Sequence, residues 1–127
     1  MVKPGFVIFA RDSHRLAAFY VSVAGLAEVG RDDSHVALES ASLQVVIHAI
    51  RTQLTSPNEA SSSFVRRESA AIKPVFVVDS LRETRSRAAA LGGSLDSADL
   101  EWGFRDTRVC DGVDPEGNVI QFREQAG

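Results

Sequence analysis

The stretch that decides the fold of this chain is Asp114-Pro115-Glu116-Gly117-Asn118-Val119-Ile120-Gln121-Phe122. Asp-Pro favours a turn, because proline fixes φ and disfavours the helical region for the residue before it. The Gly-Asn pair tolerates the positive φ that a tight reversal needs. The residues that follow alternate as a strand, with Ile120 and Phe122 on one face and Gln121 on the other. The stretch therefore predicts a turn that leads into a strand with one buried face.

The same order of elements occurs in both halves of the chain. In each half an apolar, strand-like segment, residues 6–10 or 74–78, precedes a helix N-cap. Gly25 and the pair Gly92-Gly93 are suited to end the two helices. Further strand-like segments follow each helix, which indicates an internal repeat. The residues that correspond by spacing are Phe9, Asp12 and Ser13 with Phe76, Asp79 and Ser80.

The second half has the features that point to a known family: Asp79-Ser80 after a strand, a helix ending at Leu91-Gly92-Gly93, then Trp102-Gly103 and the Asp-Pro-Glu-Gly-Asn turn. In this order they resemble the second βαβββ module of the vicinal oxygen chelate superfamily. This superfamily includes glyoxalase I, bleomycin-resistance proteins, fosfomycin-resistance enzymes and extradiol dioxygenases. The resemblance implies an α+β fold of two βαβββ modules, with mixed sheets curved around a concave cleft and the helices outside.

The resemblance also implies the organisation of the chain. Residues 1–127 form a single domain, made of module 1–50, linker 51–71 and module 72–127. The linker shows neither the hydrophobic periodicity of a helix nor that of a strand. Connections of this length inside a domain are usually functional or mobile. Phe64, Arg66 and Arg67 belong either to a flap over a pocket or to a plain surface linker.

Composition excludes several classes of protein. The net charge of −3 is unlike that of a nucleic-acid-binding surface, which generally has a basic excess. No apolar run approaches the roughly 20 residues that span a bilayer, and the first residues do not form a signal peptide. The one cysteine, Cys110, cannot form an intramolecular disulfide and suits a reducing compartment. We therefore expect a soluble cytoplasmic protein without a nucleic-acid or membrane partner.

Alternation along the strands predicts which side chains face away from the helices and towards the cleft. Of these, Trp102 either stacks on a ligand or packs between the two halves. Lys73 either pairs with a carboxylate or phosphate of a ligand or is a solvated strand end. The predicted ligand-binding residues are Val7, Phe9, Gln44, His48, Lys73, Val75, Trp102 and Gln121.

Metal-dependent relatives carry His, Gln or Glu ligands on the opening and closing strands of each half. The positions that match these ligands are Gly5, Lys73 and Gln121. Glycine has no donor, lysine is cationic at neutral pH, and glutamine brings no charge. We therefore expect no metal cofactor. If a divalent metal does bind, His48 and Gln121 are its expected ligands, in a rearranged set with Gln44 and with Glu39 or Glu124.

Three hypotheses of function follow. The first is a metal-independent protein of the bleomycin-resistance kind, which binds a small organic molecule in an apolar cleft. The second is a metal-dependent lyase, transferase or dioxygenase of the glyoxalase type, so that catalytic activity is left open. The third is a regulatory or immunity partner. Because an apolar inner face is unfavourable in water and two-fold dimers are the commonest assembly, we also expect a homodimer. The modules pair either within one chain or across that dimer.

Overall fold

The computed structural model describes residues 2–50 and 65–126. The chain divides into two units, Met1–Ser63 and Phe64–Gly127. Within the described residues, each unit contains one α-helix and one mixed sheet, with four strands in the first sheet and five in the second. The α+β fold predicted from the sequence is therefore confirmed.

The first unit has the order βαβββ. Its sheet has the strand order β1-β4-β3-β2, in which β1 is parallel to β4 and the other neighbours are antiparallel. In chain order its elements are β1 (Gly5–Ala10), α1 (Ser13–Ala24), β2 (Ala27–Arg31), β3 (His35–Glu39) and β4 (Gln44–Ala49).

Helix α1 covers one face of the first sheet. Asp12 is its N-cap and accepts a hydrogen bond from the Arg15 amide at 3.1 Å, while Gly25 ends it with a φ of 70°. The predicted apolar stripe of the helix is buried, and it packs on the alternate residues of β3 and β4 that are also buried. The residues of this core are Leu16, Phe19, Tyr20, Val23, Val36, Leu38, Val45 and Ile47.

The second unit repeats this plan with one additional short strand. Its sheet has the strand order β5-β9-β8-β6, and β7 also pairs with β8. Strands β5 and β9 are parallel, as β1 and β4 are in the first unit. In chain order its elements are β5 (Val75–Val78), α2 (Leu81–Ala90), β6 (Ser94–Leu95), β7 (Trp102–Phe104), β8 (Thr107–Val113) and β9 (Val119–Gln125).

Helix α2 is fixed to its sheet at the N-terminus. The Ser80 hydroxyl accepts a hydrogen bond from the Glu83 amide at 3.1 Å, as the capping-box spacing predicts. The Leu81 amide donates to the Glu124 carboxylate on β9 at 2.8 Å. Phe76 and Phe122 lie next to each other on the same face of the sheet, with ring centroids 6.1 Å apart.

The turn before β9 is organised by the side chain of Asp114. One of its carboxylate oxygens accepts hydrogen bonds from the amides of Glu116 and Asn118, at 2.9 and 3.0 Å. The other accepts from the Asn118 side-chain amide at 2.8 Å. Gly117 has the predicted positive φ, 83°. The turn therefore satisfies its own backbone donors and delivers β9 next to β5 and β8.

The register of the two parallel pairs corrects one predicted correspondence. The amides of Gln44 and Gln121 donate to the carbonyls of Pro4 and Pro74, at 3.0 and 2.9 Å, so these positions are equivalent. Phe76 then corresponds to Phe6, and the predicted match of Phe76 with Phe9 is wrong. Phe9 is 62% exposed and Phe76 only 4%. The predicted matches of Asp12 with Asp79 and of Ser13 with Ser80 are also wrong, because the two helix N-caps are Asp12 and Ser80. Spacing from the caps misplaces the strand starts as well, because β1 is two residues longer than β5.

Part of the predicted linker is bound to the second unit. Arg66 forms an ion pair with Asp96 at 2.9 Å, and the Arg67 amide donates to the Gly117 carbonyl at 2.9 Å. Phe64, the third residue of the predicted flap, lies outside the described residues. Within residues 2–50 and 65–126, no helix is long and apolar enough to cross a membrane.

The close approach of β1 to β4 gives a stability prediction. A Cβ atom on Gly5 would lie 1.6 Å from the Gln44 carbonyl oxygen, whereas a Cβ on Gly30 meets nothing within 4 Å. We expect Gly5→Ala to lower the free energy of unfolding by at least about 2 kcal/mol, because the backbone must shift. Gly30→Ala should cause little loss. Urea unfolding of both variants measures this, and equal stabilities would contradict the register of β1 on β4.

Candidate functional site

Each sheet has a face turned away from its helix, which we call its open face. On the first open face, Val7 and Phe9 of β1 lie opposite Val46 and His48 of β4. Val7 and Phe9 are 53% and 62% exposed. The rings of Phe9 and His48 are in contact, with centroids 5.6 Å apart, and His48 Nδ1 lies 3.1 Å from the Ala49 carbonyl oxygen.

A hydrogen-bonded triad forms the polar end of the first open face. The Lys3 ammonium donates to the Glu39 carboxylate at 2.7 Å and to the Ser40 carbonyl at 2.8 Å. The Gln44 side-chain amide donates to the other oxygen of Glu39 at 3.0 Å. The carboxylate is thus shared between a cation and an amide.

A second triad of the same composition lies on the second open face. The Lys73 ammonium donates to one oxygen of the Asp111 carboxylate at 2.7 Å. The Gln121 side-chain amide donates to the other oxygen at 3.2 Å. Lys73 is therefore already paired with a carboxylate of its own chain, which neither of its predicted roles included.

The two triads occupy equivalent places in their modules. Each lysine precedes a proline, and the carbonyl of that proline accepts a hydrogen bond from the backbone amide of the triad glutamine. Each carboxylate stands directly opposite that glutamine on the antiparallel neighbour, in the pairs Glu39–Gln44 and Asp111–Gln121. Lys3 and Asp111 were not among the predicted site residues. The signal that could have revealed the first was the repeated Lys-Pro dipeptide before each opening strand.

The first triad changes the titration of its carboxyl group. The hydrogen bond from Lys3, and after it the bond from Gln44, lowers the pKa of Glu39 below its usual value. Both bonds favour the charged form. At neutral pH the triad therefore contains an ionised carboxylate and an ammonium group, and its net charge is zero.

These donors do not fit a divalent metal. A metal would compete with an ammonium that already lies 2.7 Å from each carboxylate, and each triad offers only one carboxylate and one neutral amide. A residue with a metal-ligating side chain cannot replace Gly5, because its Cβ atom would collide with the Gln44 backbone. Among the described residues, no group of three or more His, Cys, Asp and Glu side chains could hold a metal ion. The two predicted metal ligands His48 and Gln121 belong to different units, and a metal site formed by both stays a prediction.

The second open face continues beyond its triad. The Arg123 Nε donates to the Gln121 side-chain carbonyl at 2.9 Å, and the guanidinium lies over the ring of Phe104, 4.7 Å from its centroid. Two exposed aromatic residues occupy β7: Trp102 and Phe104 are 39% and 43% exposed. Val75 lies on the same face, where it pairs with Gln121. The predicted residues Lys73, Val75, Trp102 and Gln121 all lie on this sheet.

A further charged cluster of the second unit surrounds Glu101. Glu101 forms ion pairs with Arg85 at 2.5 Å and with Arg108 at 3.1 Å. Although burial alone raises its pKa, the hydrogen bonds from these two arginines lower the pKa of Glu101 below the usual value. Burial raises the pKa of the Cys110 thiol. The cysteine is therefore a buried thiol at neutral pH.

Two helices on two mixed sheets, each opened by a strand parallel to its closing strand, define the class: this is a fold of the vicinal oxygen chelate superfamily. A family model described as a glyoxalase-like domain matches residues 5–122. The chain belongs to this glyoxalase-like family.

Solved structures with the same fold have different functions in their names. One is a glyoxalase/bleomycin resistance protein/dioxygenase family enzyme from Burkholderia phytofirmans, with a TM-score of 0.70, 22% identity, and 95% and 96% of the two chains covered. The fosfomycin resistance protein FosX from Listeria monocytogenes, complexed with manganese(II), has a TM-score of 0.68, 14% identity, and 98% and 92% coverage.

A third is the bleomycin resistance determinant encoded on the transposon Tn5, with a TM-score of 0.57, 17% identity, and 98% of both chains covered. At these identities the likeness shows the fold alone. No curated protein matches the chain.

The first triad gives a prediction about pH. Lys3→Met should raise the pKa of Glu39 towards its usual value, because the largest cause of its low pKa is lost. In the unmodified chain, the ion pair stabilises the fold at pH values above the pKa that Glu39 has in the unfolded chain. This stability is lost as the pH falls through the lower pKa that Glu39 has in the folded chain. Carboxyl carbon NMR titration measures the shift. Arg15→Met, which removes an exposed charge from α1, should leave the titration unchanged. A Glu39 pKa that is the same in Lys3→Met would exclude the triad.

Proposed function

We propose that this protein binds a small organic molecule on the apolar open faces of its modules, without a divalent metal. The single observation that carries this proposal is the pair of Lys-carboxylate-Gln triads. The second triad contains the ammonium of Lys73 and the amide of Gln121, and the resemblance to the superfamily matches these two residues with metal ligands. In each triad the one carboxylate is already bound to the lysine ammonium, so the triad has no free charged donor for a metal.

The apolar surface supports the binding of an organic molecule. Phe9, Val77 and Phe104 are 62%, 77% and 43% exposed, although they lie on sheets whose opposite faces are buried. Apolar and aromatic side chains with a few polar groups among them are typical of small-molecule sites. The names of two neighbours, a bleomycin resistance determinant and a fosfomycin resistance protein, show that this fold serves drug resistance in other proteins.

The alternative is a glyoxalase-type lyase, transferase or dioxygenase with a rearranged metal site that contains His48. The manganese(II) complex of FosX is the observation that favours it, since that protein has the same fold. Here catalysis would depend on a metal, so that metal content separates the two functions.

A metal and ligand analysis of the untagged full chain tests the proposal. After dialysis, we expect substoichiometric zinc, iron, nickel and manganese by mass spectrometry. We expect neutral aromatic probes to bind with dissociation constants of about a millimolar or below, as small fragments do in apolar sites. Two-dimensional NMR should place the shifts on the open faces, around Phe9 and Trp102.

Two variants make this test specific. Phe9→Ser should weaken binding at the first open face, whereas Val21→Ser, on the exposed side of α1, serves as the matched control. A stoichiometric metal that survives dialysis and is lost in His48→Ala would favour the alternative function. No probe binding up to the limit of solubility would overturn the proposal.

We also propose a homodimer in the cytoplasm. Burial of exposed apolar side chains such as Val7, Phe9 and Val77 against a second copy removes them from water, at about 25 cal/mol for each Å². Closed two-fold dimers are the commonest assembly.

Light scattering at micromolar concentration should then give about twice the chain mass of 13.7 kDa. Val77→Lys should shift the protein towards the monomer, because it places a charge in the apolar face. Leu100→Lys, an exposed residue next to β7, is the control and should not change the mass. A monomeric mass for the unmodified chain would exclude this assembly.

A further inference from the structure

Two guanidinium groups share one aromatic ring on the second open face. The Cζ atom of Arg123 lies 4.7 Å from the centroid of the Phe104 ring, and that of Arg105 lies 5.6 Å from it. Both distances are within the range of a cation–π contact, which is about 6 Å. We call these three residues the arginine clamp. Because Phe104 and Arg105 are exposed, the clamp is accessible to a ligand.

The positive charge of the clamp is not neutralised by its neighbours. Within residues 2–50 and 65–126, neither Arg105 nor Arg123 has an ion pair with a carboxylate. Asp111 on the same face is paired with Lys73. Two other arginines of the second unit differ in this respect, because Arg85 of α2 and Arg108 of β8 share Glu101. Two unpaired cations over one ring favour an anionic ligand.

The second triad holds Arg123 in a fixed direction. Its Nε donates to Gln121 at 2.9 Å, Gln121 donates to Asp111 at 3.2 Å, and Asp111 is bound by Lys73 at 2.7 Å. Because Nε is occupied, the two Nη groups remain as donors. They form the end of the guanidinium fork, which can bind both oxygens of a carboxylate at once.

The backbone of Arg105 is an independent sign that its side chain is needed. Arg105 begins the two-residue connection between β7 and β8, and its φ is 53°. Among the described residues it is the one non-glycine residue with a positive φ. Glycine, asparagine or aspartate is usual at such a position, because a larger side chain is strained there. Strain of this kind is often found at functional sites.

An apolar surface lies on both sides of Arg123. Val77 is its partner on β5 and is 77% exposed. On the other side, Trp102 and Phe104 are alternate residues of β7, so that their exposed side chains share one face, whereas Val109 next to them is fully buried. Alternate residues of a strand are about 7 Å apart, a distance that a two-ring aromatic acid can span.

We propose that the arginine clamp recognises the carboxylate of an aromatic acid, and that the aromatic ring lies against the exposed side chains of Trp102 and Phe104. The carboxylate pairs end-on with the Nη groups of Arg123, and Arg105 adds a second positive charge. This inference rests on the proposed function, because it gives the chemical class of the molecule bound there.

A matched pair of probes tests the inference on the full chain. 2-Naphthoate and 2-naphthamide have the same rings, but only the first has a negative charge at neutral pH. By titration calorimetry, we expect naphthoate to bind at least tenfold more tightly than naphthamide, with an affinity that falls as salt is added. Arg123→Gln and Arg105→Gly should each reduce the affinity for naphthoate several-fold and leave that for naphthamide unchanged.

The controls separate charge recognition from folding and from net charge. Arg105→Gly should fold at least as well as the unmodified chain, because glycine relaxes the strained turn, so it carries the test even if Arg123→Gln unfolds. Arg82→Gln removes the same charge from an exposed position on α2 and should not affect binding.

Three results would overturn the inference. Equal affinities for naphthoate and naphthamide would show that the charge is not recognised, although the proposed function would stand. An equal loss in Arg82→Gln would indicate a general effect of net charge. Failure of both probes to bind would overturn the inference and the proposed function together.

Discussion

In both modules, a lysine ammonium lies 2.7 Å from a carboxylate on the open face of the sheet, and the rest of the site depends on this contact. Each carboxylate has one oxygen bound to lysine and the other to glutamine. The lysine lies two residues before the opening strand, the glutamine lies on the closing strand, and the carboxylate lies on its antiparallel neighbour. The ion pair therefore fixes the chemistry of the strands that carry metal ligands in metal-dependent members of the superfamily.

The fold and the chemistry of this protein have separate origins. The parallel pairs β1–β4 and β5–β9, covered by one helix each, are the features shared with the glyoxalase-like family. A fold of this kind serves many reactions, so the function has to be argued from the side chains. Here the backbone at Gly5 leaves no room for a metal-ligating side chain, and Lys73 and Gln121 supply an ammonium and an amide. These features support binding of an organic molecule over metal-assisted catalysis.

The two triads differ in what extends from them. In the first module, Lys3 makes a second hydrogen bond to the Ser40 carbonyl, and the triad ends there. In the second, the free oxygen of Gln121 accepts a hydrogen bond from Arg123, whose charge is not used within the described part of the chain. The same polar arrangement is thus closed in one module and open to an anion in the other. Duplicated modules can diverge in this way without any change in fold.

The sequence by itself determined the Asp-Pro-Glu-Gly-Asn turn, both helix caps and the faces of the strands, because these depend on local propensities and on alternation, which are visible in a single chain. The fold class followed from the order of these elements and its resemblance to the superfamily. The sequence also placed Val7, Phe9, Gln44, His48 and Gln121 on the faces away from the helices. Only the tertiary structure decided the partners of Lys3 and Lys73 and the contact of Arg123 with Phe104. Those contacts depend on strand register, and register is set by strand lengths and turn geometry that join residues far apart in the sequence.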